Sequence, residues 1–525
     1  MGKVVLTNKA ALRAKYGTRV SQVTAAVRDL IRADKRNGIS TRLIALDSPS
    51  SMRGLGQPVS DANDQAQNKE AVDGVYRALA PDYILLLGAP DVIPHQDLRN
   101  PAYHPEYDDD RFVPSDLPYA SEGSASDDPR NFRAVTRVVG RLPDILGSRD
   151  PSYLTGLLRK AARAIALRPE DFRAYFGITA QDWEGSSRLS LQAVFGSSTD
   201  LQQIPPHGYR WGANLLGRRA HFINCHGAAS SWQFYGQPRG VDEYPVSHDA
   251  RYIPARIASG TVVAAECCYG AQLYDPNPTR AKSVGLCNVY LANGAYGFFG
   301  SSNIAYGPKT SNDWADDLCQ YFWRHILDGS SLGAAVLRAR QDYVSERQRL
   351  DPIDQKTLAQ FNLLGDPSIH PVKVPVAEQA TAPAKSIGKA VVHSLSLAVG
   401  RSDRRRNMFA TGMAIAESTG VAVPASASRS GGIKSSLRSL AKAERLNKPE
   451  FLSYDVTQPI PAPGRAEPHV RAVAHAMRPA APGAERIHLV MGRGSNKKAP
   501  APQIIAIVAK ENGGKIVSYR TGYSR

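Results

Sequence analysis

Short apolar runs alternate with amphipathic stretches over residues 1–375, a pattern typical of an α/β domain built on a mostly parallel sheet. Apolar positions at helical spacing predict the helices, and short apolar runs that end in polar residues or glycine predict the strands. Eight strands over 375 residues are enough for two side-by-side sheets. The predicted strands lie at 42–46, 83–87, 137–140, 174–178, 220–224, 261–266, 295–300 and 368–372. The predicted helices lie at 22–35, 61–79, 151–167, 211–218, 311–327, 332–347 and 353–363.

The pattern changes after residue 375. Residues 376–450 are rich in Ala, Pro, Ser and Arg, a composition that buries too little apolar surface to fold, so we expect a flexible linker there. Strand-like runs return at 487–491, 504–509 and 515–519, with a turn at Asn512-Gly-Gly between the last two. We therefore predict a small α/β module at 451–525.

The positive charge of the chain is concentrated after residue 375. The 525 residues contain 65 Lys and Arg against 48 Asp and Glu, a net charge of +17. Residues 376–525 account for 23 of the basic and 9 of the acidic residues, which leaves 42 and 39 for residues 1–375. The basic tail is thus a separable module on a nearly neutral body. An apolar fraction of 42% with 22% charged residues excludes a wholly disordered or collagen-like chain.

Nothing near Met1 resembles a secretory signal, and no apolar run is long enough to span a bilayer. We therefore expect a cytoplasmic protein without a membrane span. The five cysteines are odd in number and fall within one short stretch, unlike a secreted disulfide framework, so free thiols are expected.

Two apolar runs end in reactive side chains. One reads HFINCHG and ends at His226-Gly227, and the other reads VVAAECCYG and contains Cys267 and Cys268. In open parallel sheets the ligand crevice lies beyond the carboxyl ends of the strands, so these tips meet if the strands are neighbours. A thiolate nucleophile needs a partner that moves a proton, and histidine does so near neutral pH. The amides of Gly227 and of the nucleophile are then candidates for an oxyanion hole.

Cysteine and histidine also occur at strand ends without any catalytic role. Buried cysteines commonly act as small apolar residues, and a histidine at a strand end is often only a hydrogen-bonded polar residue. Cys225, His226, Cys267 and Cys268 are all zinc ligands, but neighbours along a strand point to opposite faces and no C-x-x-C spacing is present. A vicinal disulfide would be strained. We predict neither a metal nor a cofactor.

A collinear set of motifs over 42–372 resembles the caspase-fold cysteine peptidases, and is most similar to the gingipain-type family. Besides the two tips, the set comprises residues 81–94 (PDYILLLGAPDVIP), 114–120 (PSDLPYA), 139–143 (VGRLP), 294–302 (GAYGFFGSS) and 361–368 (FNLLGDPS). The resemblance does not extend to the tail.

The resemblance implies a caspase-like fold, with a supporting subdomain at 1–150 and a catalytic subdomain at 151–375. It also implies peptide-bond hydrolysis through a thioester, with His226 donating a proton to the leaving amine. Alignment on the gingipain block makes Cys267 the nucleophile, whereas alignment on the caspase and metacaspase blocks makes it Cys268. We favour Cys268. The two side chains cannot both face the crevice, and Cys267 then fills the small-residue position that precedes the nucleophile in the caspase and metacaspase blocks.

The resemblance also places two acidic residues, Asp116 and Glu266, at the S1 pocket, which binds the residue before the cleaved bond (P1). A carboxylate there favours a cation, and bidentate pairing favours Arg over Lys, so we expect cleavage after Arg, with Lys as the alternative. Asp116 is equally suited to capping the turn before Pro118. Ser301 and Tyr306 belong to a segment expected to form another pocket wall, unless that segment is an ordinary surface loop.

The expected partner is a protein or peptide with Arg or Lys at P1; an activating partner is of unknown identity. The four arginines within 401–406 are a candidate self-cleavage site, which would make the tail a removable inhibitor or a recruiting arm rather than a plain linker. The alternative function is a catalytically silent caspase-fold scaffold whose basic tail binds nucleic acid or another anionic partner.

Overall fold

The computed structural model describes residues 1–279, 281–374, 410–416, 419–425, 431–457, 485–494 and 503–525. The run at 401–406, in which self-cleavage is predicted, lies outside these residues. Within the described ranges, no helix combines the length and the apolar character needed to cross a bilayer.

The strands of the described residues are numbered in chain order. They are β1 Gly2–Thr7, β2 Ser40–Ala45, β3 Tyr83–Leu87, β4 Gln96–Arg99, β5 Phe112–Ser115, β6 Val139–Leu142, β7 Tyr175–Ala180, β8 Leu201–Ile204, β9 Ala220–Asn224, β10 Gln233–Tyr235, β11 Val246–Asp249, β12 Val262–Ala265, β13 Gly297–Ser301, β14 Tyr306–Gly307, β15 Arg349–Leu350, β16 Phe361–Gly365, β17 Gly420–Pro424, β18 Asn447–Thr457, β19 Arg486–Arg493, β20 Ile504–Asn512 and β21 Lys515–Ser524.

The α-helices are numbered in the same way. They are α1 Lys9–Tyr16, α2 Val20–Arg36, α3 Pro49–Met52, α4 Gln65–Leu79, α5 Ser152–Ala161, α6 Glu184–Phe195, α7 Ala213–Leu216, α8 Leu286–Ala292, α9 Ala315–Leu327, α10 Leu332–Ser345, α11 Pro352–Gln360 and α12 Gly431–Ala443.

Ten strands form one sheet in the order β2-β1-β3-β6-β16-β13-β12-β9-β7-β8. Every neighbouring pair is parallel except β13 with β16, which is antiparallel. The central strands β3, β9, β12, β13 and β16 are buried at every position, as expected for a parallel sheet covered on both faces. The predicted α/β class with a mostly parallel sheet is confirmed.

The strands of 1–150 and those of 151–375 are joined edge to edge by β6 and β16, whose register pairs Arg141 with Leu364. The two predicted side-by-side units therefore share one continuous sheet.

A second sheet of seven strands follows the order β14-β21-β20-β19-β18-β17-β15. Its two outer strands, β14 and β15, belong to residues 1–375, so the sheet is attached to the body at both edges. The helix α12 covers it with Ile433, Leu437 and Ala441, which pack against Val490 and Ile507. Strands of residues 1–375 thus form both edges of the sheet that contains β21.

The structure differs from the sequence-based expectation in several elements. The strand β17 and the helix α12 lie within 376–450, where a linker is expected, because their few apolar residues are buried only by the second sheet. Residues 361–363, expected to end the helix 353–363, belong instead to β16, because pairing with β13 overrides local helical spacing. Residues 368–372, expected to form a strand, do not form one. The strand β1 is not predicted from the sequence, because Lys3 interrupts its apolar run. In the structure Lys3 is buried and paired with Asp366.

Two histidines are buried beside the sheet and share one hydroxyl. His221 Nδ1 lies 2.9 Å and His248 Nε2 lies 2.8 Å from the Tyr290 hydroxyl oxygen. Burial lowers the pKa of His221 to about 4 and the pKa of His248 to about 3. Both imidazoles are therefore neutral in the folded chain at pH values where they are charged in the unfolded chain.

We predict that acidification from pH 6.5 to pH 4 lowers the free energy of unfolding. The unfolded chain binds the additional protons in this window, so each buried histidine contributes a slope of up to about 1.4 kcal/mol per pH unit. Urea unfolding at a series of pH values measures the slope, which should be shallower in His221→Phe. The exposed His207→Gln is the matched control, and equal slopes in His221→Phe and the unsubstituted chain would contradict the prediction.

Candidate active site

The site lies where β9 and β12 end. These strands are adjacent and parallel, and their register pairs Ile223 with Ala265. The residues that follow, from Asn224 on one strand and Glu266 on the other, therefore leave the sheet side by side. The two tips identified in the sequence meet at one edge, as their positions predict.

His226 is held by backbone and ring contacts. Its N–H donates to Tyr235 O at 2.8 Å, and its ring centroid lies 4.2 Å from that of Trp183 and 4.7 Å from that of Tyr244. His226 Nε2 lies 2.8 Å from Gln237 Oε1. Because an amide oxygen only accepts, Nε2 carries the hydrogen and Nδ1 is the nitrogen able to accept a proton. Burial lowers the pKa of His226 to about 4, so the ring is neutral at pH 7.

Gly227 marks a close approach of the two tips. A Cβ atom added to Gly227 would lie 1.7 Å from the carbonyl oxygen of Cys268 and 2.8 Å from its carbonyl carbon. No side chain fits there without moving backbone. The glycine after His226 is therefore what allows the histidine tip to lie against Cys268.

The two adjacent cysteines have different surroundings. The Cys267 sulfur is fully buried and lies 3.9 Å from Ile223 O, and burial raises the pKa of its thiol well above the usual value. The Cys268 sulfur accepts from Ala305 N–H at 3.2 Å, and burial raises the pKa of its thiol to about 12. Cys267 thus faces the strand beneath it, whereas Cys268 faces the segment around Ala305.

Arg525 lies next to Cys268. The Cys268 N–H donates to the carbonyl oxygen of Arg525 at 3.0 Å, and the Arg525 N–H donates to Ala305 O at 3.1 Å. Just before it, Ser524 and Tyr523 pair antiparallel with the two residues of β14. Residues 523–525 therefore extend along the cleft as an added strand.

The Arg525 side chain is buried in a pocket with two carboxylates. Its Nη1 donates to Asn224 Oδ1 at 2.6 Å and to Glu266, and its Nη2 donates to both carboxylate oxygens of Asp316 at 2.8 Å. A Cβ atom added to Gly307 would lie 1.9 Å from Nη2, so this glycine leaves room for the guanidinium. The pocket has the shape and the charge of a site for arginine.

The charges in this pocket are strongly coupled. Burial alone would lower the pKa of Arg525, but Asp316 and Glu266 outweigh burial, and the pKa is raised. Burial and the neighbouring Asp316 raise the pKa of Glu266 well above its usual value, and burial also raises the pKa of Asp316. Two carboxyl groups thus face one guanidinium, a combination that favours sharing a proton between them.

The other sequence-predicted pocket residues have other partners. Asp116 accepts from Arg141 Nε and Nη2 at 2.9 and 2.6 Å, so its carboxylate is used within the first part of the sheet and is not among the groups that contact Arg525. Tyr306 donates its hydroxyl hydrogen to Asp108 at 2.9 Å, and its backbone pairs with Ser524. The ring found near the Arg525 guanidinium is that of Trp183, with its centroid 5.4 Å from the guanidinium carbon.

Ser301 supports the cysteine tip from below. Its hydroxyl lies 2.8 Å from Cys267 O and 2.9 Å from Asn303 O, so one side chain bridges two neighbouring loops. Of the predicted pocket residues, the structure therefore brings Glu266 to the guanidinium, the Tyr306 backbone to the added strand, and Ser301 to the loop that carries the cysteines.

Sequence reasoning missed several residues that form the site. Asp316 lies in the first turn of α9, far along the chain from both tips, and Asn224 is within the tip but carries no signal of its own. The acidic run at 108–110 includes Asp108, which is buried and paired with Lys356. A run of three aspartates is a visible signal, but its burial depends on a lysine far away in sequence.

All five cysteines are free thiols. Among the described residues, no three or more His, Cys, Asp or Glu side chains are grouped so as to hold a metal ion. Burial raises the pKa of the Cys225 thiol to about 12.

Residues 220–372 match the model of peptidase family C25. The matched stretch begins at β9 and contains His226, Cys268 and Asp316. The match agrees with the resemblance to gingipain-type peptidases and shows a cysteine-type peptidase, a hydrolase that acts on proteins or peptides. No curated protein matches the chain.

We predict that Gly227→Ala lowers the rate of peptide hydrolysis by about 10²-fold, because displacement of catalytic groups by about 1 Å has effects of this size. The measurement uses a peptide substrate and chains that also carry Arg525→Ala, which empties the pocket. Gly208→Ala is the matched control, since a Cβ added there meets no atom within 4 Å. Equal rates in the two alanine variants would contradict the prediction.

Proposed function

We propose that this cysteine peptidase is an endopeptidase that cleaves after arginine, with Cys268 as the nucleophile and His226 as the proton carrier. The observation that carries the proposal is the position of Arg525. Its guanidinium fills the acidic pocket while its carbonyl oxygen lies 3.0 Å from the Cys268 amide nitrogen. A P1 arginine of a substrate would occupy the same place.

The geometry of the pocket favours arginine over lysine. The two terminal nitrogens of the guanidinium reach different carboxyl groups, Nη1 to Glu266 and Nη2 to Asp316. A lysine ammonium is a single point charge and would leave one of these buried carboxyl groups without a cation. A buried carboxylate without a partner is costly, so arginine is the better P1 residue.

The reaction uses His226 twice. Its Nδ1 accepts the thiol proton of Cys268, and the thiolate attacks the carbonyl carbon of the P1 arginine. Collapse of the tetrahedral intermediate breaks the C–N bond, forms a thioester, and transfers the proton from the imidazolium to the leaving amine. Water then attacks the thioester, a proton returns through His226 to the thiol, and the peptide with a terminal arginine carboxylate leaves. Gln237 keeps the hydrogen on Nε2 throughout.

The Cys268 amide supports the oxyanion in this scheme. It points at the carbonyl oxygen of Arg525, so the same N–H would face the oxygen of a tetrahedral intermediate. Gly227 is the second donor predicted from the sequence. Within the described residues its amide makes no hydrogen bond to that oxygen, and its clearest role is to permit the close approach of the two tips.

The choice between the two cysteines gives a direct prediction. In the Arg525→Ala background, Cys268→Ala should abolish cleavage of a fluorogenic peptide with arginine at P1, because it removes the thiol of the residue whose amide contacts the Arg525 carbonyl oxygen. Cys267→Ala should retain cleavage, since its sulfur faces Ile223, and Cys287→Ala is the matched control for loss of a buried thiol. Loss of activity in Cys267→Ala but not in Cys268→Ala would reverse the assignment.

The two pocket carboxylates give a second prediction. Asp316→Asn and Glu266→Gln should each lower kcat/KM for P1 arginine by about 30-fold or more, the effect of losing one partner of a buried charge pair. Peptides with Arg, Lys, Gln or Leu at P1, tested in the Arg525→Ala background, measure the preference. Asp328→Asn, which changes an exposed carboxylate just past the end of α9, is the control.

An unchanged P1 preference in both pocket variants would contradict the assignment of Glu266 and Asp316 to the S1 pocket, and equal cleavage of all four peptides by the Arg525→Ala parent would contradict arginine specificity. Failure to cleave any of the four peptides would favour the alternative of a catalytically silent scaffold. Self-cleavage at 401–406 and a cytoplasmic location remain predictions from the sequence.

A further inference from the structure

The strand β21 is bound to the cleft through its backbone. It pairs with β20 along most of its length, and at its end Tyr523 and Ser524 also pair with Gly307 and Tyr306. An extended peptide that adds to a free strand edge is a common mode of peptide recognition. Because β21 is already ordered by its own sheet, it binds the cleft edge without the entropy cost that a flexible peptide bears.

The Arg525 side chain completes this binding. Its relative exposure is 1%, and its terminal nitrogens donate to Asn224, Glu266, Asp316 and Pro308 O. The pocket is therefore full, and a substrate arginine cannot enter while Arg525 is in place.

A second cluster anchors the same strand five residues earlier. Arg520 Nη1 donates to Asp313 at 2.6 Å, and its Nη2 contacts Asp351 and lies 3.2 Å from Asp354. The Arg520 guanidinium carbon also lies 4.9 Å from the ring centroid of Trp314. Arg520 within β21 and Arg525 just after it are thus both paired with carboxylates of the peptidase body.

Occupation of the cleft also covers the nucleophile. The Cys268 amide already donates to Arg525 O, and the relative exposure of Cys268 is 3%. Burial raises the pKa of its thiol to about 12, which suppresses the reactive thiolate at neutral pH.

We propose that residues 515–525 are a built-in inhibitor of this chain, which places Arg525 in the S1 pocket and Ser524 and Tyr523 along the cleft edge, so that the folded chain is latent until this strand is displaced. The inhibitory role rests on the proposed arginine-specific peptidase, whereas occupation of the cleft can be tested without it.

The test compares the full chain with Arg525→Ala and with Arg438→Ala, an exposed arginine on α12 that serves as the matched control. One readout is hydrolysis of a fluorogenic peptide with arginine at P1. The other is the rate at which iodoacetamide alkylates Cys268, located by fragmentation mass spectrometry, with Cys268→Ala as a blank. We expect Arg525→Ala to raise both rates by about tenfold or more, and Arg438→Ala to change neither.

The two readouts separate this proposal from the proposed function. Faster alkylation without cleavage of the arginine peptide would support occupation of the cleft and count against arginine specificity. Equal alkylation and equal cleavage in Arg525→Ala and the unsubstituted chain would overturn the inhibitor and leave the peptidase standing. Equal alkylation rates of Cys268 in Arg525→Ala and the unsubstituted chain, with no cleavage by either, would also overturn the proposal of a built-in inhibitor.

A second variant covers the case in which Arg525→Ala fails to fold. Gly307→Ala places a methyl group where the Arg525 guanidinium lies, and no atom outside Arg525 is among the nearest it meets. It should expel Arg525 and speed alkylation of Cys268, yet give no gain in cleavage after arginine, because the same methyl group blocks a substrate arginine. Alkylation as slow as in the unsubstituted chain would overturn the proposal.

Discussion

The buried contact of Arg525 with Glu266 and Asp316 is the interaction that holds the end of the second sheet at the candidate active site. A guanidinium removed from water is stable only where carboxylates and amide oxygens satisfy its donors, and such contacts have narrow geometric limits. Two carboxyl groups so close together are in turn unfavourable without a cation or a shared proton. The peptidase body therefore supplies the carboxyl groups that the guanidinium needs, and the end of the second sheet supplies the cation that the carboxyl groups need. That mutual requirement fixes the end of β21 beside Cys268.

The same principle explains how the first part of the sheet supports the site. Asp108 is paired with Lys356 and accepts from Tyr306, and Asp110 accepts from the Tyr269 hydroxyl and the Ile304 amide. These carboxylates lie on a loop of residues 1–150, while their partners lie around the cysteine tip and the cleft edge. Residues of 1–150 thus contact the walls of the candidate site through the carboxylates of Asp108 and Asp110.

Under the two proposals, latency and arginine specificity would share one set of contacts. A pocket that binds a P1 arginine well also binds an arginine of its own chain well, and the tethered one is present at high effective concentration. A pocket that binds arginine tightly is therefore compatible with an inactive enzyme, provided that the inhibiting strand is held by an ordered sheet. The cluster around the half-buried Arg520 supplies a second point of attachment, so displacement of the strand requires breaking two sets of ion pairs.

The sequence by itself determined the α/β class, the strand ends that carry His226 and the cysteines, and the hairpin at Asn512-Gly-Gly, because these depend on local spacing and on turn residues that act within a few positions. It also indicated Glu266 as a pocket carboxylate next to the two cysteines. The tertiary structure alone decided that Asp316 joins Glu266, that Asp116 pairs with Arg141, that α12 folds within a supposed linker, and that Arg525 fills the pocket. Each of these depends on burial of charge or apolar surface against residues distant in the chain, and no local pattern encodes which distant group provides the partner.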